Sequence, residues 1–175
     1  MKKNIALIGF MGTGKTRAGL VVAERTGKKF IETDAMIEDA AKKPITKIFS
    51  DDGEIRFREL EIAAIKEAAS MENAVFSLGG GAVLNTINVL YMRQSAVVIC
   101  LTARPDILFK RLVNEEREKR PLLAKPDPRA EIERLLATRA PFYAAATSLI
   151  VDTSNLSIDD VARRVIELFD ANKNT

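Results

Sequence analysis

Residues 9 to 16 read Gly-Phe-Met-Gly-Thr-Gly-Lys-Thr, directly after an apolar run and directly before a segment of helical period. The spacing G-x-x-x-x-G-K-[ST] restricts the chain to a narrow set of folds. A buried strand must end in a turn whose backbone N–H groups face inward, and a helix must begin at that turn. Gly9, Gly12 and Gly14 permit such a turn, and the helix N-terminus adds partial positive charge to it, so the loop is a nest for phosphate oxygens. With glycine near 7% of residues, the four fixed positions arise by chance in well under about one chain of this length in a hundred. Gly12, Thr13, Gly14, Lys15 and Thr16 are therefore candidate ATP contacts. Lys15 supplies a positive charge against the β and γ phosphates, and the Thr16 hydroxyl is placed to join a Mg²⁺ shell.

The remainder of the chain is consistent with a phosphate-handling enzyme and excludes several other classes. At 175 residues and 47% hydrophobic content it is long and apolar enough for one buried core, and one domain over 1–175 is expected. The net charge of +3 comes from both signs spread along the chain, without the dense basic run and interleaved aromatics that nucleic-acid binding favours. The single cysteine, Cys100, sits in an apolar run, where a buried strand position is expected, and the absence of histidine removes any Cys/His zinc cluster. The apolar run at the N-terminus is short and ends in glycines and a lysine, unlike a secretory signal. No stretch approaches the roughly 18 apolar residues of a membrane span. A cytoplasmic protein without membrane or nucleic-acid partners is expected.

Val- and Ile-rich stretches alternate with segments of helical period, which is the pattern of a parallel sheet wrapped by helices. The expected strands are NIALIG, KFIETD, AVFSL, AVVICL and SLIVDT. The expected helices begin with KTRAGLVVAERTG, stopped by Gly27, and EIRFRELEIAAIKEAAS. PDILFKRLVNEER follows with Pro105 in its first turn, then DPRAEIERLLATRAPFYAAA, and SIDDVARRVIELFDA with Ser157 as N-cap. The segment NEEREKRPLLAKPDPR breaks this rhythm with dense charge and prolines, and reads as either a solvated loop or a mobile lid.

The absences narrow the chemistry. AVFSL ends without the acid that many ATPases place on this strand, and no Asn-Lys-x-Asp element follows a later strand, so a guanine-selective switch is unsupported. A compact small-molecule kinase remains. Glu32 and Asp34, two apart in a segment expected to be extended, are expected on one face at the carboxyl end of a parallel strand, where ligands bind. Gly79, Gly80 and Gly81 would let backbone approach a small polyol.

The strings GFMGTGKT, ETDAMIE, GEIRFRELE, SLGGGAV, RPLL and RAPFY, in this order and spacing, resemble the shikimate kinase family across nearly the whole chain. The resemblance implies a three-layer α/β/α P-loop fold whose five-stranded parallel sheet has the order 2-3-1-4-5, with a mobile lid at about 113–126. It implies transfer of the ATP γ-phosphate to the 3-hydroxyl of shikimate, with Mg²⁺, by a monomer. Asp34, Arg58, Gly80 and Arg139 match the family's shikimate contacts. Two arginines suit a carboxylate, and an aspartate suits hydroxyl donors. Asp34 is also a candidate acceptor of the attacking hydroxyl's proton. Arg120 matches the lid arginine that stabilises charge during transfer, and Arg111 a residue packed beside adenine. DTSNL matches the loop on the other face of the base, and Phe49 and Phe57 match pocket walls. The chain departs from the family at Glu32, where aspartate is usual beside the Mg²⁺; an outer-shell carboxylate tolerates one more methylene.

Two other readings share parts of this pattern. Gluconate and nucleoside monophosphate kinases have the same loop, sheet and arginine-bearing lid, but GEIRFRELE with SLGGGAV fits the shikimate pattern better. A nucleotide-binding module without activity would be expected to lack Arg58, Arg139 or the lid arginine, and all are present.

Overall fold

The computed structural model describes residues 1–114 and 126–174. Strand β1 (Asn4–Ile8) is buried along its whole length. A strand with apolar side chains on both faces can only be central, and β1 lies between β3 (Ala74–Ser77) and β4 (Ala96–Thr102). Outside these come β2 (Lys29–Glu32), paired with β3, and β5 (Ile150–Asp152), paired with β4. All pairings are parallel, and the order is β2-β3-β1-β4-β5, as expected.

Alternation along the strands divides the core into two layers. Ile5 and Leu7, with Val75, Val97 and Ile99, face α1 (Lys15–Thr26) and α8 (Ile158–Asn172) through Ala18, Val22, Val161, Val165 and Phe169. Ala6 and Ile8, with Phe76, Val98 and Cys100, face the opposite way. They meet Ile65 of α4 (Gly53–Ala69), Met92 of α5 (Thr86–Ser95), and Tyr143 and Ala146 of α7 (Pro128–Ala146). Burial of each large aliphatic side chain in these layers contributes about 1.5–3 kcal/mol. Helix α1 stops at Gly27, which takes the left-handed conformation at φ 64°, and Ser157 caps α8 by accepting from Asp160 N at 3.1 Å. α6 (Pro105–Asn114) begins at Pro105, and α7 continues through Pro141. Cys100 is a buried strand residue, and burial pushes its thiol up to about 11.

The structure corrects the expected extended course of KFIETD. β2 ends at Glu32, opposite Ser77, and Thr33 begins helix α2 (Thr33–Ala41). β3 also ends at Ser77, so the residues after Glu32 have no strand to pair with. The Thr33 hydroxyl donates to the Ser77 carbonyl at 3.3 Å across this exit, and Ile37, one turn on, is fully buried. Asp34 is therefore in the first turn of α2, not two residues along a strand from Glu32. Helices α2, α3 (Ile45–Asp51) and α5 were not expected. α2 and α3 pack Ile37 and Ile48 against Phe57 and Ala64, and their shortness hides the helical period in the sequence.

Candidate active site

The loop after β1 is forced into shape by its surroundings. Gly9 has φ 142°, and a β-carbon there would lie 2.2 Å from the Leu101 carbonyl oxygen on β4, so no side chain fits. The Thr13 hydroxyl, buried, donates to the Phe10 carbonyl at 2.7 Å and closes the turn. Lys15 opens α1, and its ammonium donates to the Gly9 and Phe10 carbonyls at 2.8 and 2.9 Å. The lysine is thereby folded over the loop that it serves.

Thr16 follows on α1, and its hydroxyl donates to Glu32 Oε1 at 2.7 Å. The longer acid at position 32 thus reaches the hydroxyl of the phosphate loop directly. Asp34, in the first turn of α2, faces the same cleft, where burial, helped by the neighbouring Glu32 and Glu61 carboxylates, raises its pKa to about 6 against the pull of Lys15. The cleft has a volume of about 460 Å³ and is lined by Lys15, Thr16, Glu32, Asp34, Gly79 and Gly80, among others. Gly12, Thr13 and Gly14 also border it, as do Arg111, Thr153 and Leu156. The structure therefore brings the phosphate loop, both acids and the glycine run to one opening, despite the corrected path at residue 33.

Arg58, Gly81 and Arg139 are not among the residues that line it; the two arginines lie against the glycine run, Arg139 beside Gly80 and Arg58 beside Gly81. Arg58 lies on α4, and a β-carbon at Gly81 would fall 3.1 Å from its Nη1. Its guanidinium donates to Glu61 at 3.0 and 3.2 Å and to Glu54 at 3.2 and 3.4 Å, and it sits 5.2 Å from the Phe57 ring centroid. Phe57 in turn stacks at 4.5 Å on Phe49, which remains 41% exposed, so this aromatic pair is only half committed to the core. Arg139, on α7, lies 5.6 Å from the Phe10 ring centroid and close to Gly80. Arg111, on α6, donates to the Gly12 carbonyl at 3.1 Å and to the Thr153 hydroxyl and carbonyl at 3.0 and 2.7 Å. It ties the phosphate loop to the segment after β5. Arg120 and nearly all of the expected lid lie outside the described residues.

Sequence reasoning missed Glu61 and Asn88, and took Thr153 only as part of the DTSNL loop, without a role of its own. Glu61 is 2% exposed; burial pushes its carboxyl up while Arg58 pulls it down. Its i,i+3 spacing from Arg58 on an expected helix was the available signal. Asn88 donates to Glu61 at 3.3 Å and to the Ala82 carbonyl at 3.1 Å, and Thr153 hydrogen-bonds the Thr13 and Thr102 carbonyls at 3.1 and 3.0 Å. The bonds from Asn88 to Glu61 and from Thr153 to Thr13 and Thr102 span 27, 140 and 51 residues, so these contacts leave no local signal.

A parallel sheet in the order 2-3-1-4-5, a phosphate loop at its carboxyl end, and an acid and arginines beside that loop define a P-loop kinase of small molecules. A family model described as shikimate kinase matches residues 11–170. A shikimate kinase from Thermoanaerobacter pseudethanolicus is 44% identical over 167 residues, covering 95% of this chain and 96% of the relative. The chain belongs to the shikimate kinase family, whose members are ATP-dependent phosphotransferases. The solved shikimate kinase from Acinetobacter baumannii in complex with shikimate superposes with a TM-score of 0.90 at 30% identity, over 100% of this chain and 97% of that one. A gluconokinase from Sinorhizobium meliloti, at 22% identity and a TM-score of 0.65 over 99% of this chain and 97% of that one, shares the fold alone.

Proposed function

We propose that this chain transfers the γ-phosphate of ATP to the 3-hydroxyl of shikimate. The observation that carries the reading is the convergence of Lys15, Thr16 and Asp34 on one cleft, which sets a phosphate cradle beside a carboxylate able to accept from a hydroxyl. In this reading Gly12, Thr13, Gly14, Lys15 and Thr16 hold the ATP phosphates and Arg111 borders the base. Asp34 receives the acceptor hydroxyl and is the first stop for its proton. Phosphoryl transfer passes through a loose transition state, so positioning matters more than base strength, and a carboxylate with a pKa near 6 suffices. Arg58 and Arg139 take the acceptor carboxylate with charge-assisted bonds, and Gly79, Gly80 and Gly81 leave room for the ring. Arg120 closes over the phosphates from a lid at about 113–126 of a single kinase domain, which excludes water.

The residues present fit Mg²⁺. The Thr16 hydroxyl and the Glu32 carboxylate are hard oxygen donors in contact at 2.7 Å. No group of three or more Asp, Glu, His or Cys among the described residues makes a self-sufficient metal cage, which suits an ion held mostly by phosphates and waters. Mg²⁺, when bound, neutralises charge on the β and γ phosphates. The proposal includes action as a cytoplasmic monomer without nucleic-acid partners, in keeping with the mild net charge of +3.

The test is ADP release by the purified chain with ATP and Mg²⁺, in the presence of shikimate, gluconate, AMP or no acceptor, with Lys15→Ala as control. A shikimate-dependent signal abolished in the control is expected. Release with gluconate or AMP instead would overturn the acceptor assignment, and silence with every acceptor despite ATP binding would overturn the activity.

A further inference from the structure

Tyr143 ends the string RAPFY, of which only Arg139 entered the reading above, and it lies one helical turn beyond that arginine on α7. The two side chains at i and i+4 share a face of the helix, directed at the glycine run. The Tyr143 hydroxyl donates to the Gly80 carbonyl at 2.6 Å, across 63 residues of sequence. Burial pushes the phenol up to about 12, against the pull of the nearby Arg139 charge. It therefore stays protonated and keeps its proton directed at the Gly80 carbonyl. The ring packs in the core among residues that include Ala82 and Ala146, so only the hydroxyl has a polar task.

Three consecutive glycines have little conformational preference of their own, and one hydrogen bond to the middle carbonyl removes much of that freedom. Because the peptide unit is planar and trans, holding the Gly80 C=O toward α7 turns the Gly81 N–H away from it. We infer that Tyr143 is a positioning residue for the acceptor, fixing the Gly80 peptide beside the Arg139 guanidinium, whose Nη1 would lie 3.7 Å from a β-carbon at Gly80, so that the two meet the carboxylate end of the substrate together. The inference rests on shikimate being the acceptor.

Tyr143→Phe removes the hydroxyl and keeps the ring. Steady-state kinetics of wild type and variant are compared with shikimate, its methyl ester and ATP, alongside the melting temperature. KM for shikimate is expected to rise about tenfold, the upper scale of one lost hydrogen bond, with kcat, KM for the ester and KM for ATP within about twofold. A KM for shikimate within about twofold of wild type overturns the inference, as does an equal rise for the ester. A fall in melting temperature with all three constants rising together also overturns it, since the role would then be structural. Failure of the acceptor reading shows separately, as a wild type that does not turn over shikimate.

Discussion

Gly79 and Asp34 are in contact across the mouth of the sheet: a β-carbon at position 79 would lie 2.7 Å from Oδ1 of Asp34. Glycine at 79 is therefore needed by the protein's own carboxylate before any ligand enters. Gly79→Ala is expected to push Asp34 out of position and lower kcat/KM for shikimate by about a hundredfold, the scale on which small misplacement costs rate. ATP affinity, measured by equilibrium titration, is expected to change little, because the phosphate loop is untouched.

The raised pKa of Asp34 gives a signed pH dependence. Burial favours its neutral form, so the carboxylate that would receive the hydroxyl is lost as pH falls through about 6, and kcat/KM for shikimate is expected to drop about tenfold per unit below that. Stability runs the other way. A folded-state pKa above the ordinary 3.8 means that the contribution is full below pH 3.8 and is lost as pH rises through about 6. Asp34→Asn is therefore expected to abolish most turnover yet stabilise the fold at pH 7.5, on the order of 2 kcal/mol or about 4 to 8 °C in melting temperature. The gain should vanish near pH 4.

Glu32 reaches the Thr16 hydroxyl at 2.7 Å, and aspartate at that position would be one methylene shorter. Glu32→Asp is expected to keep kcat within about threefold, with a water taking up the difference, whereas Glu32→Ala should raise the Mg²⁺ concentration for half-maximal rate by about tenfold. Mn²⁺ titration followed by electron paramagnetic resonance in the presence of ATP checks the same ordering independently of turnover.

The buried Glu61 holds Arg58 through two contacts at 3.0 and 3.2 Å, while the other partner, Glu54, is exposed. Exposed pairs contribute little, so Glu61 supplies most of the orientation. Glu61→Gln is expected to raise KM for shikimate about tenfold with a smaller change in kcat, because a neutral amide holds a guanidinium less firmly. Isothermal titration with shikimate provides the check, and an unchanged affinity would show that Arg58 is held by other means.

Local patterns carried the fold and the phosphate half of the site. The strand-loop-helix of residues 4–26, the apolar strands and the Ser157 cap each depend on neighbours within a few residues, so their spacing reads directly as structure. The same local reading failed at residue 33, where the chain turned into α2 because β3 offers no partner beyond Ser77. It also passed over α3, whose seven residues are too few to display a period.

What the sequence by itself determined is the phosphate loop, the parallel sheet and the residue types available at its carboxyl edge, because each follows from short-range conformational preference and apolar period. Only the tertiary structure decided which of those residues meet. Gly12 accepts from Arg111 99 positions later, Tyr143 reaches back 63 to Gly80, and Asn88 reaches back 27 to Glu61. Those separations are closed by the order in which strands lie side by side and by the packing of α4, α6 and α7 over them. No local pattern encodes a contact of that length, since it comes into being only when the core is formed.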